Sequence, residues 1–286
     1  MMRGRKTATT VVRRPTGELA VRTKVLSSIY TGWIRKTPLL RGVIVLLESM
    51  ILGIGSLVYS ANVALEEEKE GEEDGEKISG GSIWLILLGS FVFAVVLFFL
   101  APLFLARLLD PYISSSIVFH LVEGAIRLVI FLVYLRTISL LPDLKRVFAY
   151  HGAEHKTINA YENGAPLEVK AIQRYSTAHA RCGTAFLLAV LVIAILVFAL
   201  IGRQVVWLMV LSRILLIPVI AALGYETTQF GARHMNNVMV RVLMTPGLWL
   251  QRLSTREPDD SQVEVAVAAL KEVLAIDQET AQQASS

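Results

Sequence analysis

Thr184-Ala-Phe-Leu-Leu-Ala-Val-Leu-Val-Ile-Ala-Ile-Leu-Val-Phe-Ala-Leu-Ile201 carries no charge, and after the turn Gly202-Arg203-Gln204 a second apolar run, Val205 to Leu223, follows at once. A helix needs roughly 20 predominantly apolar residues to cross a bilayer. Two such runs joined by three residues read as a helical hairpin through a membrane, with Arg213 and Pro218 interrupting the second. The whole chain agrees. Its 286 residues are 54% apolar, with mean hydropathy +0.55, against about 45–50% apolar in ordinary soluble domains.

Upstream, Ile83 to Leu105 is a third span, bent only by Pro102. After Arg107-Leu-Leu-Asp110-Pro111 comes Ile113 to Leu141, which holds His120, Glu123 and Arg127. Spacings of three and four put these on one helical face. Ionisable groups inside a span face the bundle and pair with one another. A structural Glu123–Arg127 pair is the plain reading, and a functional polar pocket the sharper one. Leu39 to Ala61 is also apolar but is broken by Arg41, Glu48, Gly53 and Gly55. A charge at the centre of a span costs about 2.5–3.5 kcal/mol on insertion scales. This segment therefore reads as a helix embedded from one side or re-entrant, with a true span as the rival.

The polar stretches complete the plan. Residues 1–37 carry nine Lys/Arg and no long apolar run, which argues against a cleaved signal peptide. Within them, Val11 to Arg22 reads as two short strands around a Pro15/Gly17 turn. Residues 66–77 form an acidic linker. Asp143 can cap a helix running to about Tyr161, which Asn163-Gly164 ends. A connector with a short helix fills 165–178. Asp259, Asp260 and Ser261 can cap a last helix whose Val263, Val267, Leu270 and Leu274 form an apolar stripe. With spans at 83–105, 113–141, 184–201 and 205–223, nearly all loop Lys/Arg fall on one side, as the positive-inside tendency requires. The expected fold is all-α: a polytopic membrane protein of about four spans, an embedded or re-entrant helix and a cytoplasmic helical layer. Its parts are a basic arm (1–37), a membrane domain (38–223, with the motif segment 142–183) and a C-terminal tail (224–286). Both termini are expected in the cytoplasm of a bacterial inner-membrane protein, in contact with membrane lipids. Nothing resembles a nucleic-acid module, and one cysteine excludes an intrachain disulfide.

Between the spans lies the chemistry. His151-Gly-Ala-Glu154-His155 places two histidines four apart on one helix face, where both can reach one ion. His-x-x-Glu-His is the inverted zinc-peptidase signature, with the Glu as general base. Glu154 is the candidate base. Glu162, seven beyond His155, returns to the same face. His179 and Cys182, three apart, can supply further ligands. The candidate metal set is thus His151, His155, His179, Glu162 and Cys182, for a divalent ion, zinc first. A closed set would be a structural clamp, and an open position beside Glu154 would be catalytic. No separate triad orients Cys182 as a nucleophile.

Several segments together resemble one family. Arg41-Gly-Val, Glu48-Ser, Asp143-Leu-Lys-Arg-Val-Phe-Ala-Tyr-His-Gly-Ala-Glu-His-Lys-Thr, Tyr161-Glu-Asn-Gly, Arg181-Cys-Gly-Thr, Tyr225-Glu, Pro246-Gly-Leu-Trp-Leu-Gln and Thr255-Arg-Glu-Pro-Asp-Asp-Ser-Gln are similar to the YqhQ-like family of bacterial membrane proteins. The likeness covers residues 10–275. It implies a multi-span inner-membrane protein with a domain of unknown function, one that has been labelled a predicted metal-dependent enzyme.

Three functions follow as expectations. The first is a metal-dependent hydrolase at the cytoplasmic face. The second is a non-enzymatic scaffold or assembly factor, held by a structural metal or polar clasp and recruiting a protein partner through 255–275. The third, a transporter using Glu48, His120, Glu123 and Arg127, is weakened by the lack of a paired inverted repeat.

Overall fold

In the computed structural model the chain is described over residues 1–68, 80–202 and 204–283. The apolar hairpin is formed by α8 (Gly183–Ile201) and α9 (Val206–Arg233), turning at Gly202 with φ +78°, a value that favours glycine. Against α8 packs α5 (Ser116–Ile138), so closely at Gly124 that a Cβ there would stand 2.4 Å from Ile195. The next neighbour of α5 is a broken span: α3 (Gly80–Val95), a π turn over Val96–Leu100, then α4 (Ala101–Leu108). Pro102 has no N–H to offer the Phe98 carbonyl four residues back. Arg127 Nε donates to that carbonyl instead, at 3.0 Å.

The Glu123–Arg127 pair exists and is larger than the sequence implies. Arg213, from α9, donates to both Glu123 oxygens at 2.6 and 2.7 Å, Arg127 donates to one at 2.7 Å, and His120 Nδ1 stands 3.3 Å away. All four residues are buried. The network ties α5 to α9 and, through Phe98, to the broken span.

A polar layer packs on one end of this bundle. It contains α6 (Pro142–Glu162), the short α7 (Val169–Ile172), α11 (Asp260–Gln283) and a three-stranded antiparallel sheet, β1 (Met2–Arg3), β2 (Thr7–Arg13) and β3 (Leu19–Val25). The strands expected near Val11–Arg22 pair from Thr7↔Val25 to Arg13↔Leu19 around Gly17 at φ +93°, and Met2–Arg3 adds a third. Residues 2–25 of the basic arm therefore form an ordered sheet packed on α11, and the one-turn helix α1 (Ser28–Thr31) follows it. The apolar stripe of α11 faces inward: Val263, Val267 and Leu270 are buried with Ala153, Ala160 and Ile172. Asp259 caps that helix by accepting the Gln262 N–H at 2.9 Å, while the Gln262 side chain accepts the Asp259 N–H at 3.0 Å, a reciprocal capping box. At the start of α6 the expectation fails. Leu141 sits at the cap position and Pro142 at the first helical position, which leaves Asp143 inside the first turn.

Among the described residues, five helical segments are long and apolar enough to cross a membrane: Leu40–Ala64, Leu88–Leu108, Ser116–Ile138, Gly183–Ile201 and Val206–Arg233. The first belongs to α2 (Leu40–Glu68), an unbroken helix that differs from the rest in its partners. Arg41 at its start is paired with Glu226 near the end of α9. Beyond that it lies along the sheet. Glu48, 1% exposed, accepts from Arg3 at 2.8 Å and Arg35 at 2.5 Å. Leu52 packs on Ala8 and Leu26, and Thr10 hydrogen-bonds Ser56 at 2.7 Å. This is the helix that the sequence sets apart from the four spans. The charge that argues against a lipid-facing helix is neutralised by two arginines of the N-terminal segment. Residues 69–77 of the acidic linker and Arg203 lie outside the described residues.

The short helix α10 (Val238–Ser254) was not separated from the tail by sequence reasoning. Val238, Met239, Val242, Leu243 and Trp249 are exposed along one side of it. Gly247 brings it against the start of α8, where a Cβ would stand 3.2 Å from Ala185.

Candidate metal centre

The centre is assembled where α6, the 173–182 connector, the start of α8 and the end of α10 meet. Side chains of α6 stitch the connector down by donating to its carbonyls: Lys156 Nζ to Gln173 at 2.8 Å, and Asn159 Nδ2 to Ser176 at 2.8 Å and Ala178 at 3.0 Å. From the other side Gln251, fully buried, accepts the His179 N–H and donates to the His179 carbonyl, both at 2.9 Å. Ser254 reaches Thr184 at 2.8 Å.

Gly152 decides how close these pieces come. The Arg256 carbonyl lies 2.0 Å from where its Cβ would be, and Arg256 N–H donates to the Phe148 carbonyl at 2.9 Å. Only glycine lets the chain after α10 lie directly on α6. That approach carries the Ser254 carbonyl to His151.

His151 Nδ1 stands 2.8 Å from the Ser254 carbonyl, and His155 Nδ1 is 2.5 Å from the Thr177 carbonyl. A carbonyl only accepts, so each Nδ1 carries a hydrogen, and in the neutral ring Nε2 is the atom left to bind a metal. The two rings lie 4.4 Å apart, centre to centre. Cys182 Sγ is 3.5 Å from His151 Nε2. One ligand atom from each of His151, His155 and Cys182 lies within 4.8 Å of the others, a group that could hold a metal ion. Cys182 is also the N-cap of α8, its sulfur accepting the Thr184 N–H at 3.4 Å, so the helix end favours negative charge there.

The electrostatics follow from this packing. Burial pushes the Cys182 thiol up, but the hydrogen bonds and charges of His151 and His155 outweigh it and bring it down to about 5. Burial pulls His151 down, and the Cys182 sulfur, the Ser254 carbonyl and Glu154 together raise it to about 9. For His179 burial wins over Glu162 and lowers it.

The other sequence candidates surround the trio. His179 is next to it, its ring 5.7 Å from that of His155. Glu162 is on the outer side of His179, with one oxygen 3.4 Å from His179 Nε2 and the other accepting from Arg181 at 2.9 Å. Glu154 flanks His151, is paired with the Met1 amino group, and shares with His151 the wall of a cavity of about 930 Å³. Glu226 is bound to Arg41 on α2. Sequence reasoning missed Gly152, Asn159, Gln251 and Ser254. Gln251 ends the Pro246-to-Gln251 motif, the one available signal, while Ser254 contributes through its backbone and leaves no residue-type trace.

No solved structure matches the chain. "Uncharacterized protein YqhQ" of Bacillus subtilis (strain 168) is 37% identical over 251 residues, covering 85% of this chain and 79% of that protein. The model of the family described as "Protein of unknown function (DUF1385)" matches residues 37–276, the span that holds α2, the bundle and all three residues of the trio, and the chain belongs to that family.

Proposed function

We propose that this protein is a metal-dependent hydrolase of the bacterial inner membrane, with its polar layer in the cytoplasm. The supporting observation is the pair of carbonyls, Ser254 and Thr177, that tie up both Nδ1 hydrogens and leave both Nε2 atoms beside a thiol disposed to ionise, the proton that His151 holds against the sulfur being displaced when a metal binds. Outer contacts that fix the tautomer are a regular feature of ligating histidines. Two nitrogens and a sulfur are a donor set suited to zinc. A zinc ion there would bring the pKa of a bound water to about 7. Three donors leave a fourth position, and Glu154, on the same cavity wall as His151, is the carboxylate placed to take a proton from a group entering that cavity. His179 and Gln251 hold the connector that carries Cys182. Placing the layer in the cytoplasm rests on its Lys/Arg content.

Metal analysis of the purified protein tests this. Close to one zinc per chain is expected, lost in Cys182→Ser with His155→Ala and kept in Glu154→Gln. A preparation with far less than one metal per chain would sink the reading.

The scaffold reading keeps one observation in its favour. Four segments far apart in sequence converge on the trio, as in a clasp. In that case His179 would close the fourth position, and Glu154→Gln would change nothing that can be measured. Recruitment through 255–275 would have to use surfaces other than the α11 stripe, which is covered by α6 and the sheet.

A further inference from the structure

The cavity beside His151 has an origin that can be read residue by residue. Its volume, about 930 Å³, is at the upper end of the roughly 300–1,000 Å³ typical of small-molecule sites. One wall is α6, from Arg146 to Glu154, and another is α11, through Val265, Ala266 and Ala269. The third wall is α2, which offers Gly53, Ser56, Ser60 and Ala64. These recur at three, four and four residues, so apart from Leu57 this face of α2 is small over about 16 Å. A Cβ at Gly53 would meet nothing within 4 Å. The space exists because this face is small while the helix is held off α6 by the sheet, through Thr10–Ser56 and Glu48–Arg3.

The opposite side of α2 is the reverse. Leu47, Met50 and Ile51 are exposed there, on a helix apolar enough to enter a bilayer. Leu57 belongs to both surfaces. It lines the cavity and is 63% exposed, so the apolar lining reaches the outer face of α2 there. At the hairpin end the lining carries Arg13, Arg14, Arg146 and Asp143, with Arg13 paired to Glu264 at 2.7 Å, so arginines outnumber carboxylates there. At the other end are His151 and Glu154. A chamber of this kind is continuous with lipid along one edge, apolar in the middle and basic at one end.

We infer that the cavity takes one acyl chain of an anionic bilayer lipid, entering past Leu57 and lying along the small face of α2, with the lipid's negative group near the arginines. Together with the reading of the trio as a reaction centre, this makes the substrate class an anionic amphiphile. The binding itself does not depend on that reading, because neither His155 nor Cys182 lines the cavity.

The test uses the full chain in nanodiscs of phosphatidylglycerol and phosphatidylethanolamine, each lipid in turn carrying a photoactivatable diazirine on its acyl chain. After irradiation, cross-links are mapped by mass spectrometry. Phosphatidylglycerol is expected to label the cavity peptides around Val147–Phe148 and Val265–Ala269, as well as the lipid-exposed Leu88–Phe91 face of α3. Gly53→Trp projects into open space, so it should remove at least nine-tenths of the cavity labelling and leave the α3 labelling as an internal control. Ser60→Phe is a second plug with the same expected pattern. Phosphatidylethanolamine should label the cavity several-fold less. Labelling confined to α3, or cavity labelling indifferent to both plugs, overturns the inference. Equal labelling by both lipids overturns the anionic assignment. His155→Ala with Cys182→Ser should label the cavity as the parent does. Absence of metal would therefore end the hydrolase reading while the cavity labelling still reports on the lipid.

Discussion

Two of the polar clusters buried among the described residues differ in what they leave free. In the bundle, Glu123 receives Arg213, Arg127 and His120, Arg213 also donates to the Met209 carbonyl at 2.7 Å, and Arg127 to that of Phe98 at 3.0 Å. Nearly every donor and acceptor there has a partner in the chain, His120 Nε2 being the exception. In the polar layer, the carbonyls of Ser254 and Thr177 engage only the far nitrogens of His151 and His155, and the near nitrogens gather with the Cys182 sulfur, 3.5 Å from His151 Nε2. The first arrangement satisfies charges so that spans can pack, and the second prepares donors for something else. Burial alone does not separate a structural cluster from a reactive one. The direction of the unused valences does.

The largest effect should come from the saturated cluster. Glu123→Ala leaves two buried guanidiniums without their anion, and breaking a buried pair in this way costs about 3–5 kcal/mol. Thermal unfolding in detergent should show it as a collapse of the transition temperature or of yield. Replacing all three charged residues together (Glu123→Leu, Arg127→Met, Arg213→Met) should restore most of the loss, since apolar replacement of a whole buried network is often neutral or better. Bound metal per folded chain should not change in the triple variant. A change there would break the separation between the clusters.

Next is Gly152→Ala. Its Cβ would overlap the Arg256 carbonyl, so the chain after α10 must move away from α6. Overpacking of this kind costs about 1–3 kcal/mol. The greater consequence is at the centre, because the Ser254 carbonyl moves with Arg256. Loss of an outer contact to a ligating histidine typically weakens metal binding about 10–100-fold. Competition with a chelator of known affinity would measure it. Unchanged affinity would mean that Ser254 does not orient His151.

The parts of this arrangement were unequally legible in the sequence. The spans were, because a bilayer demands about 20 apolar residues in a row and Thr184–Ile201 supplies them. The β-hairpin was, through Pro15 and Gly17. So was the nearness of His151 to His155, which helical periodicity sets by itself. Arg213 appeared only as an interruption of a span. Its partner Glu123 is 90 residues away, and no local pattern connects them. Glu162 shares the helical face of His155 but stands about 10 Å farther along the axis, where it meets His179 and Arg181. Periodicity gives the face and not the reach. The Ser254 and Thr177 carbonyls are backbone groups on distant segments, so composition says nothing of them. The two sides of α2, one on the sheet and one apolar and exposed, were visible only as an ambiguity around Glu48.

A third, smaller effect addresses charge at the centre. Cys182 is the only cysteine, so ultraviolet thiolate absorbance reports on it alone. With the thiol lowered to about 5, the thiolate is fully formed at neutral pH and is lost only as pH falls through that value. In His151→Ala the largest opposing influence on burial is gone while that of His155 remains, and the midpoint should rise toward the roughly 8.5 of an ordinary thiol. The measurement is made on protein treated with chelator, because a bound metal would itself hold the thiolate. An unshifted midpoint would mean that the α8 N-terminus, not His151, sets the charge.

The smallest expected change lies outside both clusters and serves to calibrate them. Asp259→Ala removes the side-chain half of the α11 capping box, which typically costs about 1 kcal/mol. The aspartate's hydrogen bonds from Ser261 and the backbone outweigh its burial and lower its pKa. Stability from a lowered carboxylate is present above its ordinary value of about 3.9 and fades as pH falls through the folded value. The cost of the variant should therefore shrink on acidification below about pH 4. Asp259 is three residues from Arg256, whose carbonyl rests on Gly152, so the variant also asks whether loosening α11 reaches the metal donors. If capping and centre are independent, the transition temperature falls while metal affinity holds. A parallel loss of affinity would show that the donors are aligned by the whole layer, α11 included, and not by the contacts of Ser254 and Thr177 alone.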